Sequence, residues 1–221
     1  MQQMWTEIDN YIDAHLIPED SILLQTLENT EKHGFPDHLA VAPNQGMLLQ
    51  MLIQMNQCKR VLELGTFAAY STMWLARALP EDGYILTIEG RDTHAAIGQE
   101  NIDKAQLKQT IELKCGRAAD ILKSLPADIE PFDFIFIDAD KQSYPEYLEL
   151  SLNLSHSGTL IFLDNVIRAG DIINPENHKP SIEGIRDMFK AMQNHPKILS
   201  CTALQTVGSK GHDGFALAIV K

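Results

Sequence analysis

Two apolar runs end in the same way. Residues 132–141 read FDFIFIDADK, where an apolar stretch gives way at once to Asp138, Asp140 and Lys141. Residues 159–165 read TLIFLDN and stop at Asp164 and Asn165. Two carboxylates and an amide oxygen make a hard donor set, suited to Mg²⁺, Mn²⁺ or Ca²⁺ with the remaining positions left to water or substrate. Lys141 adds a group able to take a proton or to stabilise an anion. Asp and Asn after a strand also serve as plain turn formers and caps. The repetition on two strands, with Lys141 beside one of them, favours a shared site.

The rest of the chain supplies what would aim these groups. From residue 59 onward, apolar runs at 60–64, 84–88, 110–114, 132–137, 159–163 and 215–220 alternate with helical patterns at 71–79, 92–105, 118–125, 142–154 and 181–194. Continuous apolar strands between amphipathic helices predict an α/β fold with a mostly parallel sheet covered on both faces. A weaker strand at 198–206 and glycines at 208, 211 and 214 predict a terminal hairpin. Before residue 58, two helices divided at Pro18 and a third at 44–57 form an N-terminal extension. No linker divides the chain, so one domain is expected over 1–221, with 1–57 as cover and 58–221 as core. In an open parallel sheet, ligands bind beyond the carboxyl ends of the strands. Neighbouring strands would then direct Asp138, Asp164 and Asn165 at one point.

The first strand and its turn read VLELGTFAAYS. Gly65 lets backbone approach a ligand, and Tyr70-Ser71 opens a helix whose first N–H groups are free. The second strand ends in Glu89, a position that commonly accepts hydrogen bonds from ribose hydroxyls. The turn lacks GxGxxG; Ala68 and Ala69 stand where a pyrophosphate needs glycine. This disfavours NAD and leaves a nucleoside cofactor without phosphates. S-adenosylmethionine is one, and Glu63, Glu89 and Asp138 would supply acidic partners for its ribose, amino and sulfonium groups.

Composition narrows the class. The net charge of −12 repels phosphate backbones and disfavours nucleic-acid partners. The three cysteines, Cys58, Cys115 and Cys201, form no metal-type pair, and free thiols suit a reducing cytoplasm. No apolar stretch reaches the roughly 18–20 residues of a membrane span, and the N-terminus lacks the pattern of a signal peptide. The eight histidines show no HxxH or HExxH spacing and read as surface or core residues. Trp5 and Tyr11 are candidates to cover the site or a neighbouring subunit.

VLELGTFAAYS, YILTIEG, FDFIFIDADKQSY, LIFLDNV and DGFALAIVK, with LAVAPNQG at 39–46, resemble the cation-dependent O-methyltransferases, the group of catechol and caffeoyl-CoA O-methyltransferases. The resemblance covers about residues 19–221. It implies the seven-stranded class I (Rossmann-like) methyltransferase sheet with its last strand antiparallel, S-adenosylmethionine as methyl donor, a divalent cation (Mg²⁺ first, Mn²⁺ or Ca²⁺ next), a small aromatic acceptor and a homodimer. It implies Asp138, Asp164 and Asn165 as metal ligands and Lys141 as general base. It implies Glu89 at the ribose, Glu63, Gly65, Thr66, Ser71 and Val41 around the methionine part, and Ala118 beside the adenine. The chain departs from the family pattern twice. Ala69 replaces a glycine, and a helix-start conformation is expected there. Arg168 replaces an aromatic, and is either a partner for an acidic substrate group or a surface arginine. Rival readings are a tRNA nucleoside O-methyltransferase, a non-catalytic nucleotide-binding module and an NAD-dependent oxidoreductase.

Overall fold

A computed structural model describes residues 1–36 and 39–221. Asp37 and His38, part of the turn-rich stretch before the third helix, lie outside the described residues. Three helices come first: α1 (Gln2–Leu16), α2 (Ser21–Lys32) and α3 (Pro43–Met55). Pro18 breaks the first from the second as expected, and Asp20 caps α2 by accepting from the amides of Ile22 and Leu23. The alternating part follows: β1 (Arg60–Leu64), α4 (Tyr70–Ala78), β2 (Tyr84–Glu89), α5 (Asp92–Ala105), β3 (Thr110–Cys115), α6 (Ala118–Ser124), β4 (Phe132–Ile137), α7 (Tyr144–Asn153), β5 (Ser155–Asp164), α8 (Pro180–Met192), β6 (Ile198–Gly208) and β7 (Gly211–Val220).

The strands form one seven-stranded sheet in the order β3-β2-β1-β4-β5-β7-β6. All pairs are parallel except β5 with β7 and β7 with β6. Successive side chains of a strand face opposite sides, and the core divides accordingly. Leu62, Leu64, Ile135 and Ile137 pack with residues of α6, α7 and α8. Val61, Phe134 and Phe136 pack on the other face with α3 and α4. The continuous apolar runs follow from this double burial. The order reverses between β1 and β4, and that is where a crevice opens at the carboxyl edge.

Two segments differ from expectation. β5 begins at Ser155, four residues before the run at 159, and its register against β4 shifts between Phe132 and Phe134. Gly158, at φ +94°, sits in this irregular start. The terminal hairpin has a tight turn, Ser209-Lys210, where a glycine-spaced loop is expected from sequence. Gly211 and Gly214 belong to β7 itself. A Cβ on Gly214 would fall 2.2 Å from the Leu204 carbonyl oxygen, so glycine there is a packing requirement.

Candidate active site

The site is built where β1, β2, β4 and β5 end. Gly65 leaves β1 at φ +102°, and a Cβ on it would lie 2.0 Å from the Asp138 carbonyl oxygen. Only glycine lets these two strand ends close on each other. The Asp138 amide donates to Leu64 and the Gly65 amide to Ile88, tying the ends of three strands together. Beyond β4, Lys141–Ser143 forms a 3₁₀ turn, and Gly184 of α8 lies against its backbone. A Cβ at Gly184 would meet the Lys141 carbonyl oxygen at 2.3 Å. A second glycine thus fixes the depth of the lysine segment.

Two cavities meet at this edge. The first, of about 590 Å³, is lined by Val41, Gly65, Ser71, Glu89, Ala118, Asp138, Lys141 and Asn165, all of them expected from sequence. Phe67, Tyr70, Arg91, His94, Arg117, Asp140 and Tyr147 also line it. The second, of about 380 Å³, lies between α1, α3 and the β6–β7 hairpin, and both Asp164 and Asn165 open onto it. Asn165 is common to the two.

Asp138 Oδ1 holds the Lys141 ammonium at 2.6 Å, and that lysine side chain is only 10% exposed. Asp164 Oδ2 accepts from Gln45 Nε2 at 2.7 Å, and its Oδ1 from the Asn165 amide at 2.8 Å. Burial, then the charge of Asp138, push the Asp164 carboxyl up, against the pull of Lys141, the Asn165 amide and Gln45. Asn165 leaves the strand at φ +54°, a region that asparagine tolerates better than most residues. Tyr144, fully buried, lies beneath: its hydroxyl donates to the carbonyl oxygens of Asp164 (2.7 Å) and Ile137 (3.1 Å), clamping the ends of β4 and β5. Among the described residues, no three acidic, histidine or cysteine side chains converge on one point; the set is two carboxylates and an amide.

Glu89 serves the turn after β1. Its Oε2 accepts from the Phe67 amide at 2.8 Å and its Oε1 from the Arg91 amide at 3.0 Å. The His94 ring lies 3.4 Å from Oε1 and edge-on to both Phe35 and Phe67. Glu63 and Thr66 stand behind the cavity wall. Glu63 is fully buried and accepts from the hydroxyls of Ser71, Thr72 and Thr87 at 2.5, 2.5 and 2.7 Å. Burial pushes its carboxyl up to about 7 in spite of those three donors. Thr66 bonds the Thr87 hydroxyl. Glu63 reaches the cavity only through Ser71, and Thr66, bonded to the buried Thr87, does not reach it.

One expectation is corrected, and one of two readings of Arg168 is favoured. Ala69 is not in a helix-start conformation; it is the left-handed N-cap of α4, at φ +65° and ψ +20°. Arg168 does not face either cavity. Its guanidinium lies 3.7 Å from Asp213 and its amide donates to the same carboxylate, within a tight segment where Arg168, Ala169 and Gly170 all have positive φ. Of the two readings of Arg168, this exposed pairing within the chain favours the surface arginine.

A family model described as O-methyltransferase matches residues 13–218. The chain is 46% identical to a catechol O-methyltransferase of Niastella koreensis over 99% of both sequences. It superposes on the O-methyltransferase from Bacillus cereus in complex with SAH at a TM-score of 0.96, with 44% identity and complete coverage of both chains. It superposes on TomG from Streptomyces achromogenes, in complex with SAM, at 0.94 with 38% identity, over 100% of this chain and 98% of the other.

Proposed function

The chain belongs to the O-methyltransferase family, and from that premise we propose that it transfers a methyl group from S-adenosylmethionine to one of two adjacent hydroxyls on a catechol-like aromatic, with a divalent cation held by Asp138, Asp164 and Asn165. The observation that carries this reading is the meeting of the two cavities at Asn165, with Asp138 on one and Asp164 on the other. The relatives' complexes with SAM and SAH and the catechol name of one relative support it.

The acceptor oxygen attacks the methyl carbon in line; the C–O bond forms as the S–C bond breaks, and its electron pair stays on sulfur. The hydroxyl proton passes to Lys141 after that side chain has released its own proton to solvent, or leaves to solvent while the Lys141 ammonium opposes the charge of the ionised oxygen. The donor set fits a hard cation, since all three groups are oxygen donors and two of them are carboxylates. Such a cation, when bound, would supply positive charge that favours the ionised oxygen. The chain's own residues supply the rest. Val41, Gly65 and Ser71 face the methionine end, Glu89 the ribose and Ala118 the adenine. Glu63 fixes the Ser71 hydroxyl from behind. Tyr144 locks the two strand ends at one spacing. Fixed geometry of this kind lowers barriers by about 7–11 kcal/mol in well-oriented intramolecular reactions.

The test is methyl transfer from labelled S-adenosylmethionine over a panel of catechols, catechol-type acids and unmodified tRNA, each with Mg²⁺ and with a chelator. Labelled catechol is expected only where Mg²⁺ is present. Product from tRNA alone, or equal turnover in chelator, would overturn the reading.

A further inference from the structure

Building on the proposed function, with the methyl donor in the first cavity and the acceptor in the second, we infer that Asp9 is a positioning residue that sets acceptor affinity by clasping the β6–β7 turn over the second cavity. Its carboxylate is nearly buried although most of α1 is exposed. Oδ2 accepts from the Ser209 amide at 2.6 Å, and Oδ1 from the Asn44 side chain at 3.2 Å. The first is short and charge-assisted, the stronger kind of hydrogen bond. One carboxylate therefore joins three walls: α1 by its own backbone, α3 through Asn44, and the hairpin through Ser209. Gln2 adds a tie, its Nε2 donating to the carbonyl oxygens of Gly208 and Ser209 at 2.9 and 3.0 Å. Gly208 is shaped to the contact, because a Cβ there would fall 2.4 Å from Asp9 Oδ2.

A hairpin tip is ordinarily among the mobile parts of a fold. Held by Asp9, this one is in place before an acceptor arrives, and less ordering cost falls on binding. Neither Asp9 nor the turn lines the first cavity, so the effect belongs to the acceptor and leaves the methyl donor untouched.

The experiment compares wild type, Asp9→Ala, Asp9→Asn, Gly208→Ala and the Asp9→Ala/Gly208→Ala pair. Initial rates are measured against acceptor and against S-adenosylmethionine separately. Acceptor KM is expected to rise about tenfold in Asp9→Ala and in Gly208→Ala, the size of one lost charged hydrogen bond. The KM for S-adenosylmethionine should hold within about twofold, and kcat should fall far less than the acceptor KM rises. Asp9→Asn, which keeps an acceptor oxygen, should recover part of the loss. The double variant should be no worse than either single one, because both break the same contact. An unchanged acceptor KM, a parallel rise in both KM values, or additive effects in the double variant would overturn the inference. If Asp9→Ala fails to fold, Gly208→Ala and Asp9→Asn carry the same comparison. Turnover by wild type with indifferent variants sinks this inference alone; no turnover by wild type on any small aromatic sinks the proposed function and this with it.

Discussion

In the proposed reaction, Lys141 would govern how the acceptor loses its proton. Its ammonium is bound to Asp138 Oδ1 and sits 5.1 Å from the centre of the Tyr144 ring. Two roles fit that position: accepting the proton, or opposing the charge of the ionised oxygen. Arginine separates them, because a guanidinium stays charged and does not accept a proton. Both Lys141→Ala and Lys141→Arg are expected to lose about 10²–10⁴ in kcat, the range for a positioned base, with S-adenosylmethionine affinity retained. Near-normal kcat in Lys141→Arg would assign the lysine a purely electrostatic role. At this scale, the residues legible in the sequence were those placed by strand ends: Asp138, Lys141, Asp164, Asn165, Gly65 and Glu89. Each interrupts an apolar run at the point where the chain leaves the sheet. Gln45 and Asp9 were not legible. Each lies on a helix among polar neighbours, and its partner is 119 or 200 residues away. Ala69 was misread because its neighbours describe a helix start, while its backbone is set by the closure of the Thr66–Ala69 turn. Left-handed alanine costs about 1 kcal/mol, roughly what burying one methyl group returns. Ala69 is fully buried, so the substitution for glycine is nearly balanced.

Among the elements, the strands were the most legible. β1, β2 and β4 are parallel and pack on both faces, so their sequences are continuous apolar runs, whereas β3, at the sheet edge, alternates apolar with polar residues. The start of β5 was hidden because residues 155–158 are polar and make only irregular pairing. That start is held by a device at the opposite end of the sheet from the site. Asp133 accepts from the amides of Lys59 and Arg60 and from His156 Nε2 at 2.6, 2.8 and 2.8 Å. It thereby joins the beginnings of β1, β4 and β5. Burial would raise the Asp133 carboxyl, but the Lys59 amide, His156 and the Arg60 amide together bring it below its ordinary value. His156 is raised by its bond to Asp133, by the Ser157 carbonyl and by the Asp133 charge, against burial. The stability that His156 adds is full below its unfolded pKa of about 6.5 and fades as pH rises through its higher folded value. The Asp133 share is full above about 3.9 and fades as pH falls through its lower folded value. Thermal melts should therefore show a Tm contribution greatest between these limits. Its alkaline loss should be absent in His156→Gln. An identical pH profile in that variant would remove the pair from the account.

On the scale of the whole molecule, the order β3-β2-β1-β4-β5-β7-β6 decides where chemistry can occur. The reversal between β1 and β4 opens the first cavity, and the antiparallel β7 beside β5 supports the hairpin that walls the second. The N-terminal extension completes both: the stretch before α3 brings Val41 to one, and α1 and α3 bring Asp9, Asn44 and Gln45 to the other. A sequence reading gives the sheet, its edge and a helical cover over 1–57, but not the ties that close it, because these are contacts between the two ends of the chain. The central claim is that the two cavities share a cation at Asp138, Asp164 and Asn165. Its most direct test is a Mn²⁺ titration followed by electron paramagnetic resonance, on wild type and on Asp164→Ala, with S-adenosylmethionine binding measured in parallel. The account predicts about one bound Mn²⁺ per chain in wild type, lost in Asp164→Ala while the methyl donor still binds. Mn²⁺ binding unaffected by Asp164→Ala, or none in wild type, would contradict it.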